Sequence, residues 1–213
     1  TLSDRERILG PDHPHTLTSR SNLAIAQRAL GHHQEAADLH RQTLSDRERI
    51  LGPDHPHTLT SRSNLGNALY TLSRYQEASD LHRQTLSDRE RDLGPDHPHT
   101  LVSRSNLANA LHALGHPKEA ADLHWQTLTD RERILGPDHP HTLTSRSAFA
   151  KALHAIGRSQ EASDLHWQTL TDRERILGPD HPHTLTSRNH LVAVRATAAR
   201  SQRWRRPWRR TRP

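Results

Sequence analysis

The sequence predicts an all-α protein built as a tandem array of antiparallel helix pairs, and three observations predict it. The stretch LGPDHPHTLTSRSNL begins at Leu9 and returns nearly unchanged at Leu51, Leu93, Leu135 and Leu177, a spacing of 42 residues each time. Between these returns, apolar residues recur every three or four positions, the period of a helix with one covered face. Gly and Pro punctuate the pattern at fixed offsets, as they do at helix ends. A unit repeated at such a period is one supersecondary element that buries its apolar side only against neighbouring copies.

Taken in order, residues 1–10 match the end of each later copy and read as the end of a truncated helix, which suggests a fragment of a longer protein. Residues 11–194 read as the tandem repeats. In the first complete copy Gly10 and Pro11 break the preceding helix, and Pro14 suits a first helical position. His13, lying before proline, is pushed to extended backbone, and Asp12 places a carboxylate near the positive end of the helix dipole. A first helix is predicted from about Pro14 to Leu30, with Leu23, Ala24, Gln27 and Leu30 on the covered face and Thr18, Asn22, Ile25 and Ala29 opposite. Gly31 permits the left-handed turn that ends it. A second helix, about Gln34 to Leu51, carries Ala36, Leu39, Thr43 and Ile50 along its seam. Asp38, Arg41, Asp46 and Arg49 supply exposed i, i+3 pairs. The same two helices are predicted at 56–72 and 76–93, 98–114 and 118–135, and 140–156 and 160–177. A last first helix starts at Pro182 and loses its pattern after Leu191.

Apolar residues make up 31% of the 213 and aromatics 3%, enough for a thin Leu/Ala seam rather than a thick core. With no Cys, disulfides and thiolate chemistry are excluded, and a reducing cytoplasmic setting is expected. No apolar run approaches the roughly 18 residues of a membrane span. The net charge of +6 is unevenly placed: eight Arg and no acid lie from Arg195 onward, leaving 22 Lys and Arg against 24 Asp and Glu elsewhere. Residues 195–213 therefore read as a basic Arg/Trp-rich tail. Gln202 lies 42 residues after Gln160, where the repeat demands Glu next, so restoring a single base after the Gln202 codon would return a regular second helix.

The alanines Ala36, Ala78, Ala120 and Ala162, with the pairs Leu23-Ala24, Leu65-Gly66 and Leu107-Ala108, resemble those of tetratricopeptide repeats. The long period and the GPDHP element resemble the variety found in kinesin light chains and in bacterial signalling ATPases of NB-ARC or STAND type. That resemblance implies a right-handed superhelical solenoid whose first helices line a concave groove that binds peptides or protein segments. The chain departs from the family at Arg20, Arg62, Arg104 and Arg146, where large aromatic or aliphatic residues are common.

Candidate binding residues lie on the uncovered face of the first helices. Asn22, Asn64 and Asn106 form a column, joined by Asn67, Asn109 and Lys151, and by the varied positions Tyr70, His112 and His154. Asparagine offers two donors and an acceptor, so such a column suits an extended peptide backbone. The recurrent DHPH places Asp and two His together, but a capping role outweighs metal binding, and neither metal nor cofactor is expected. A second column, His40, His82, His124 and His166, is expected partly buried and neutral, so that acid loosens the stack. There is no GxxxxGK, GxSxG or HExxH motif, and the repeated DRER and PDHP carboxylates read as a solvated, paired helix surface, so no catalysis is expected. The function expected is that of a protein- or peptide-binding scaffold, a sensing or docking region of a larger protein. The alternative is nucleic-acid binding through the basic tail, with Arg on phosphates and Trp stacked on bases.

Overall fold

The computed structural model describes the backbone of residues 1–204 and the side chains of residues 1–197. Among them are ten helices and no strand: α1 (Leu2–Leu9), α2 (Pro14–Ala29), α3 (His33–Leu51), α4 (Pro56–Thr71), α5 (Tyr75–Leu93), α6 (Pro98–Ala113), α7 (Pro117–Leu135), α8 (Pro140–Ala155), α9 (Ser159–Leu177) and α10 (Pro182–Trp204). The even-numbered helices are the first helices of the copies, the odd-numbered ones the second. Two compact bodies hold them, Thr1–His116 with α1–α6 and Pro117–Pro213 with α7–α10. Within each body every helix packs on the next along the chain.

The local chemistry of each element follows its sequence. Pro56 opens α4, and the N-cap His55 sits in extended backbone as a residue before proline must. Its ring Nδ1 accepts the backbone N–H of His57 at 3.2 Å, satisfying one of the orphan donors of the first turn. The same cap recurs at His13, His97, His139 and His181. It turns each DHPH into a helix start. At the other end α3 stops at Gly52, whose φ of 88° is open to glycine and costly for other residues. Ser73 occupies the turn where the other copies have Gly31, Gly115 and Gly157, and it too adopts positive φ, 60°.

The seam differs in detail from its expected course. In α3 it runs through Ala36, Ala37, His40, Thr43, Leu44 and Arg47, all buried, while Ile50 is exposed. The reason is that the covered face closes on the Arg47 guanidinium, which reaches onto α4, and the turn carrying Ile50 lies past that contact. Leu30, the C-cap of α2, is exposed, whereas the C-caps at its place in the later copies, Leu72, Leu114 and Ile156, are half-buried, because α2 has only the short α1 before it. Leu23 also stays partly open, whereas Leu65 is buried. Leu23 has only the eight-residue α1 before it, whereas Leu65 lies in a cluster with Leu44 of α3, its own neighbour Leu69, and Ala78 of α5. Leu65→Ala should therefore cost about 2–3 kcal/mol, read from urea denaturation followed by helical circular dichroism, and Leu23→Ala less than half of that.

Candidate binding face and the polar locks behind it

The recurrent stretch and the DRER segment turn out to be two halves of one fastening. Arg47, at the end of α3, is buried and donates from Nη1 to Ser61 Oγ at 2.8 Å and to the His57 carbonyl at 3.1 Å. Thr58 returns the contact, its hydroxyl donating to the Arg47 carbonyl at 3.3 Å. One position on, Glu48 accepts from Arg62 Nη2 at 3.3 Å, and Arg62 Nη1 reaches Asp88 of α5 at 2.6 Å. Arg62 thus ties a first helix both to the second helix before it and to the one after. Arg91 closes the copy on itself, bonding Asp54 at 2.9 Å and Asp88 at 3.2 Å.

The same contacts recur in the second body. Arg131 donates to Ser145 at 2.7 Å, Arg146 bridges Glu132 at 3.1 Å and Asp172 at 2.7 Å, and Arg175 bonds Asp138 at 2.6 Å. Arg173 repeats the first of these with Ser187 at 2.7 Å. The pair Asp38–Arg41 lies on the surface as expected, at 2.6 Å, whereas Asp46, 3.4 Å from Arg49, is part-buried and also holds Arg20 of α2. The reading of DRER as merely solvated surface is corrected, because its first Arg is buried and its Glu and Asp serve neighbouring helices. Asp12 likewise does more than face the helix dipole. A hydrogen bond from Arg49 holds its carboxyl below the usual range. Burial draws Arg47 and Arg89 down from the usual guanidinium range without uncharging them.

The buried positions Arg20, Arg62, Arg104 and Arg146, which depart from the family's usual apolar residues, are hubs of these fastenings. Where a bulky side chain would wedge neighbouring helices together, a guanidinium with five donors fastens them.

On that frame the predicted binding residues are presented as follows. In the first body Asn22 and Asn109 are exposed, and Asn64, Asn67 and Asn106 are half-buried. None of these side chains hydrogen-bonds within the chain among the described residues, so every amide is free for a partner. Tyr70 stands at the end of α4, its ring edge-on to Tyr75 with centroids 5.2 Å apart. His112 is exposed on α6. Lys151 and His154 belong to α8 of the second body. Lys151 is exposed as a residue, and its ammonium is drawn below the usual range by partial burial and by Arg173. His154 is already engaged, with Nδ1 at 3.0 Å from Ser159 Oγ and Nε2 at 3.3 Å from Thr197 Oγ1.

The second histidine column is buried outright. Burial holds the His40, His82 and His166 rings at a pKa of about 4, with Arg28 adding to the effect at His40 and Arg89 at His82. Gly66 in α4 makes room for one of them: a Cβ there would lie 2.6 Å from His82 Cε1. Among the described residues no group of three or more His, Asp or Glu is placed to hold a metal. No helix among them is long and apolar enough to cross a membrane. Of the basic tail 195–213, the basis of the nucleic-acid reading, Arg195 donates to Ser163 Oγ at 3.4 Å, and everything past Thr197 lies outside the residues whose side chains are described.

Helix pairs repeated in tandem, with a uniform fastened interior and an outer face that varies from copy to copy, define a helix-turn-helix repeat protein. The chain belongs to the tetratricopeptide repeat family, whose profile matches residues 16–57, 58–99, 100–141 and 142–183. It is similar to the nearly identical TPR-like repeats of a Podosopora anserina protein assigned as a kinesin light chain, with 31% identity over 90% of both chains and a TM-score of 0.77. A single-substitution variant of that protein gives 0.78 at the same identity and coverage. BtubC (BKLC) from P. vanneervenii shares the fold at 17% identity, with a TM-score of 0.75 over 93% of this chain and 80% of its own. No curated protein matches the chain. Tetratricopeptide arrays act generically as protein–protein interaction scaffolds and are typically non-catalytic.

Proposed function

We propose that this chain is a peptide- or protein-binding scaffold whose contact surface is the open face of the first helices, centred on Asn22, Asn64 and Asn106. The observation that supports this reading is the column of asparagine amides in register 42 residues apart, exposed at Asn22, half-buried at Asn64 and Asn106, and without a hydrogen bond to the chain among the described residues. An extended peptide laid across α2, α4 and α6 would find paired donors and acceptors at each helix, a pattern that recognises backbone rather than side chains. Asn67, Asn109, Tyr70 and His112 would supply the selectivity, since these positions change between copies. In the second body Lys151 adds a cation to the corresponding face of α8, and His154 acts through the packing that orders it. The scaffold serves as the sensing or docking region of a larger cytoplasmic protein of the NB-ARC or STAND kind.

The test uses a peptide selected by display against the wild-type chain. Asn64→Ala with Asn106→Ala should weaken its binding by about tenfold or more, the loss of two to four hydrogen bonds, with helicity unchanged. Unchanged affinity in a folded double variant would remove the proposal.

A further inference from the structure

A second surface lies on different helices from the asparagine column. Two adjoining clefts, of about 490 and 530 Å³, open between the second helices α7 and α9 of the second body, with α8 beneath. Trp125, Phe149 and Leu165 line both, and Trp167 lines the smaller of the two. The two indoles stand 42 residues apart and are 54% and 52% exposed, unusual for the largest apolar side chain.

The charge of this surface is one-sided. The clefts are lined by five carboxylates, Asp122, Glu132, Glu161, Asp164 and Asp172, against Arg146 and Arg158. Both cations are already spent: Arg146 bridges Glu132 and Asp172, and Arg158 grips Glu161. Asp164 receives only a neutral donor, Gln160 Nε2 at 3.1 Å, and Asp122 has no ion pair among the described residues.

The first two copies explain the imbalance. They carry Arg41 and Arg83 where the later ones carry Trp125 and Trp167. In the first copy that arginine bonds the equivalent aspartate, Arg41 Nη1 to Asp38 Oδ1 at 2.6 Å. Exchanging Arg for Trp removes the aspartate's own counter-ion and sets an aromatic face beside it.

We propose that this cleft binds an arginine-bearing segment of a partner protein, with its guanidiniums laid on Trp125 and Trp167 and paired with Asp122 and Asp164. The incoming arginine restores in trans the pair that Arg41 and Asp38 make in cis. A planar cation suits both partners, stacking on an indole while donating to a carboxylate at its edge. The unpaired carboxylates repel phosphate and acidic peptides from the same place.

The full chain is titrated with a fluorescent peptide alternating Arg and Gly, and with its Glu-Gly counterpart. The Arg-Gly peptide should bind, more weakly as salt is added, and the Glu-Gly peptide should not. The variant Trp125→Arg with Trp167→Arg should bind the Arg-Gly peptide roughly tenfold or more weakly. Because the first two copies already hold arginine at these positions, that variant retains the fold, which circular dichroism checks. The proposal is overturned by equal binding of the two peptides, or by unchanged binding in the tryptophan variant. Loss of Arg-Gly binding in Asn64→Ala with Asn106→Ala instead would put the peptide on the first-helix face and overturn it too. So would a dimer, seen by sedimentation, that dissociates when the two tryptophans are replaced, since the occupant is then a second copy of the chain.

Discussion

Replacing Arg62 by Met is expected to lower the stability of the chain by about 3–5 kcal/mol, the cost of stripping one partner from a buried ion pair. Arg62 is 2% exposed, and its guanidinium is shared among Asp88, Glu48 and the Pro53 carbonyl. Methionine keeps much of the aliphatic volume, so the loss reports the polar contacts rather than a cavity. Asp88, which is part-buried, is left with only Arg91 as an ion-pair partner among the described residues. Arg188 is the internal control. It stands at the same place in the last copy, pairs among the described residues only with Glu174 and the Pro179 carbonyl, and is half-exposed. Arg188→Met should cost about 1 kcal/mol or less, as exposed pairs do. Removing both charges in Arg62→Met with Asp88→Leu should recover part of the loss, since the only carboxylate then left without Arg62 is the more exposed Glu48. Urea midpoints followed by circular dichroism decide the matter, and equal effects at Arg62 and Arg188 would contradict the role given to the buried hub.

The second large effect is with acid. The His40, His82 and His166 rings have a folded pKa of about 4 and an unfolded value near 6.5. In the window between those values the unfolded chain binds more protons than the folded one, so stability falls as pH drops through it and is fully present above 6.5. At pH 5 this amounts to about 2 kcal/mol per ring, while most carboxylates of the locks remain ionised. Neighbouring cations act in the same direction: Arg28 beside His40, Arg89 beside His82, and His190, Lys151, His154 and Arg173 around His166. The thermal midpoint should drop by about 10 °C or more between pH 7.5 and pH 5. A variant with all three rings replaced by Leu should lose most of that dependence. Equal wild-type midpoints at the two pH values would refute the buried neutral rings.

Much of this architecture was legible from the residues. Helix starts at Pro14, Pro56, Pro98, Pro140 and Pro182 follow from proline geometry, and the alanines and leucines at helical spacing mark the covered face. The two faces of the first helices were less legible: Thr18, Asn22, Ile25 and Ala29 are exposed, but so are Leu23 and Leu30 of the expected covered face, and Asn64 and Asn67 are half-buried. The interior role of Arg47 and Arg62 was not legible. A charged residue in a repeated DRER looks solvated until its partners are known, and those partners lie 14 and 26 residues away on other helices, beyond any i, i+4 rule. Leu30 and Ile50 fit the helical period, but periodicity carries no information about where a neighbouring helix stops. Trp125 and Trp167 were signalled only by an exchange within one column, visible when the copies are aligned on Arg41 and Arg83.

Each fastening joins an Arg-Glu pair at the end of one copy to the Thr, Ser and Arg that open the next, and these groups hardly vary along the chain. Any downstream end therefore matches any upstream start. Recombination between copies that deletes or duplicates 42 residues would leave every joint matched, so a gene of this kind lengthens or shortens by whole modules without passing through an unfolded product. A slip of any other length would set a guanidinium against the wrong helix face, and selection would see it at once.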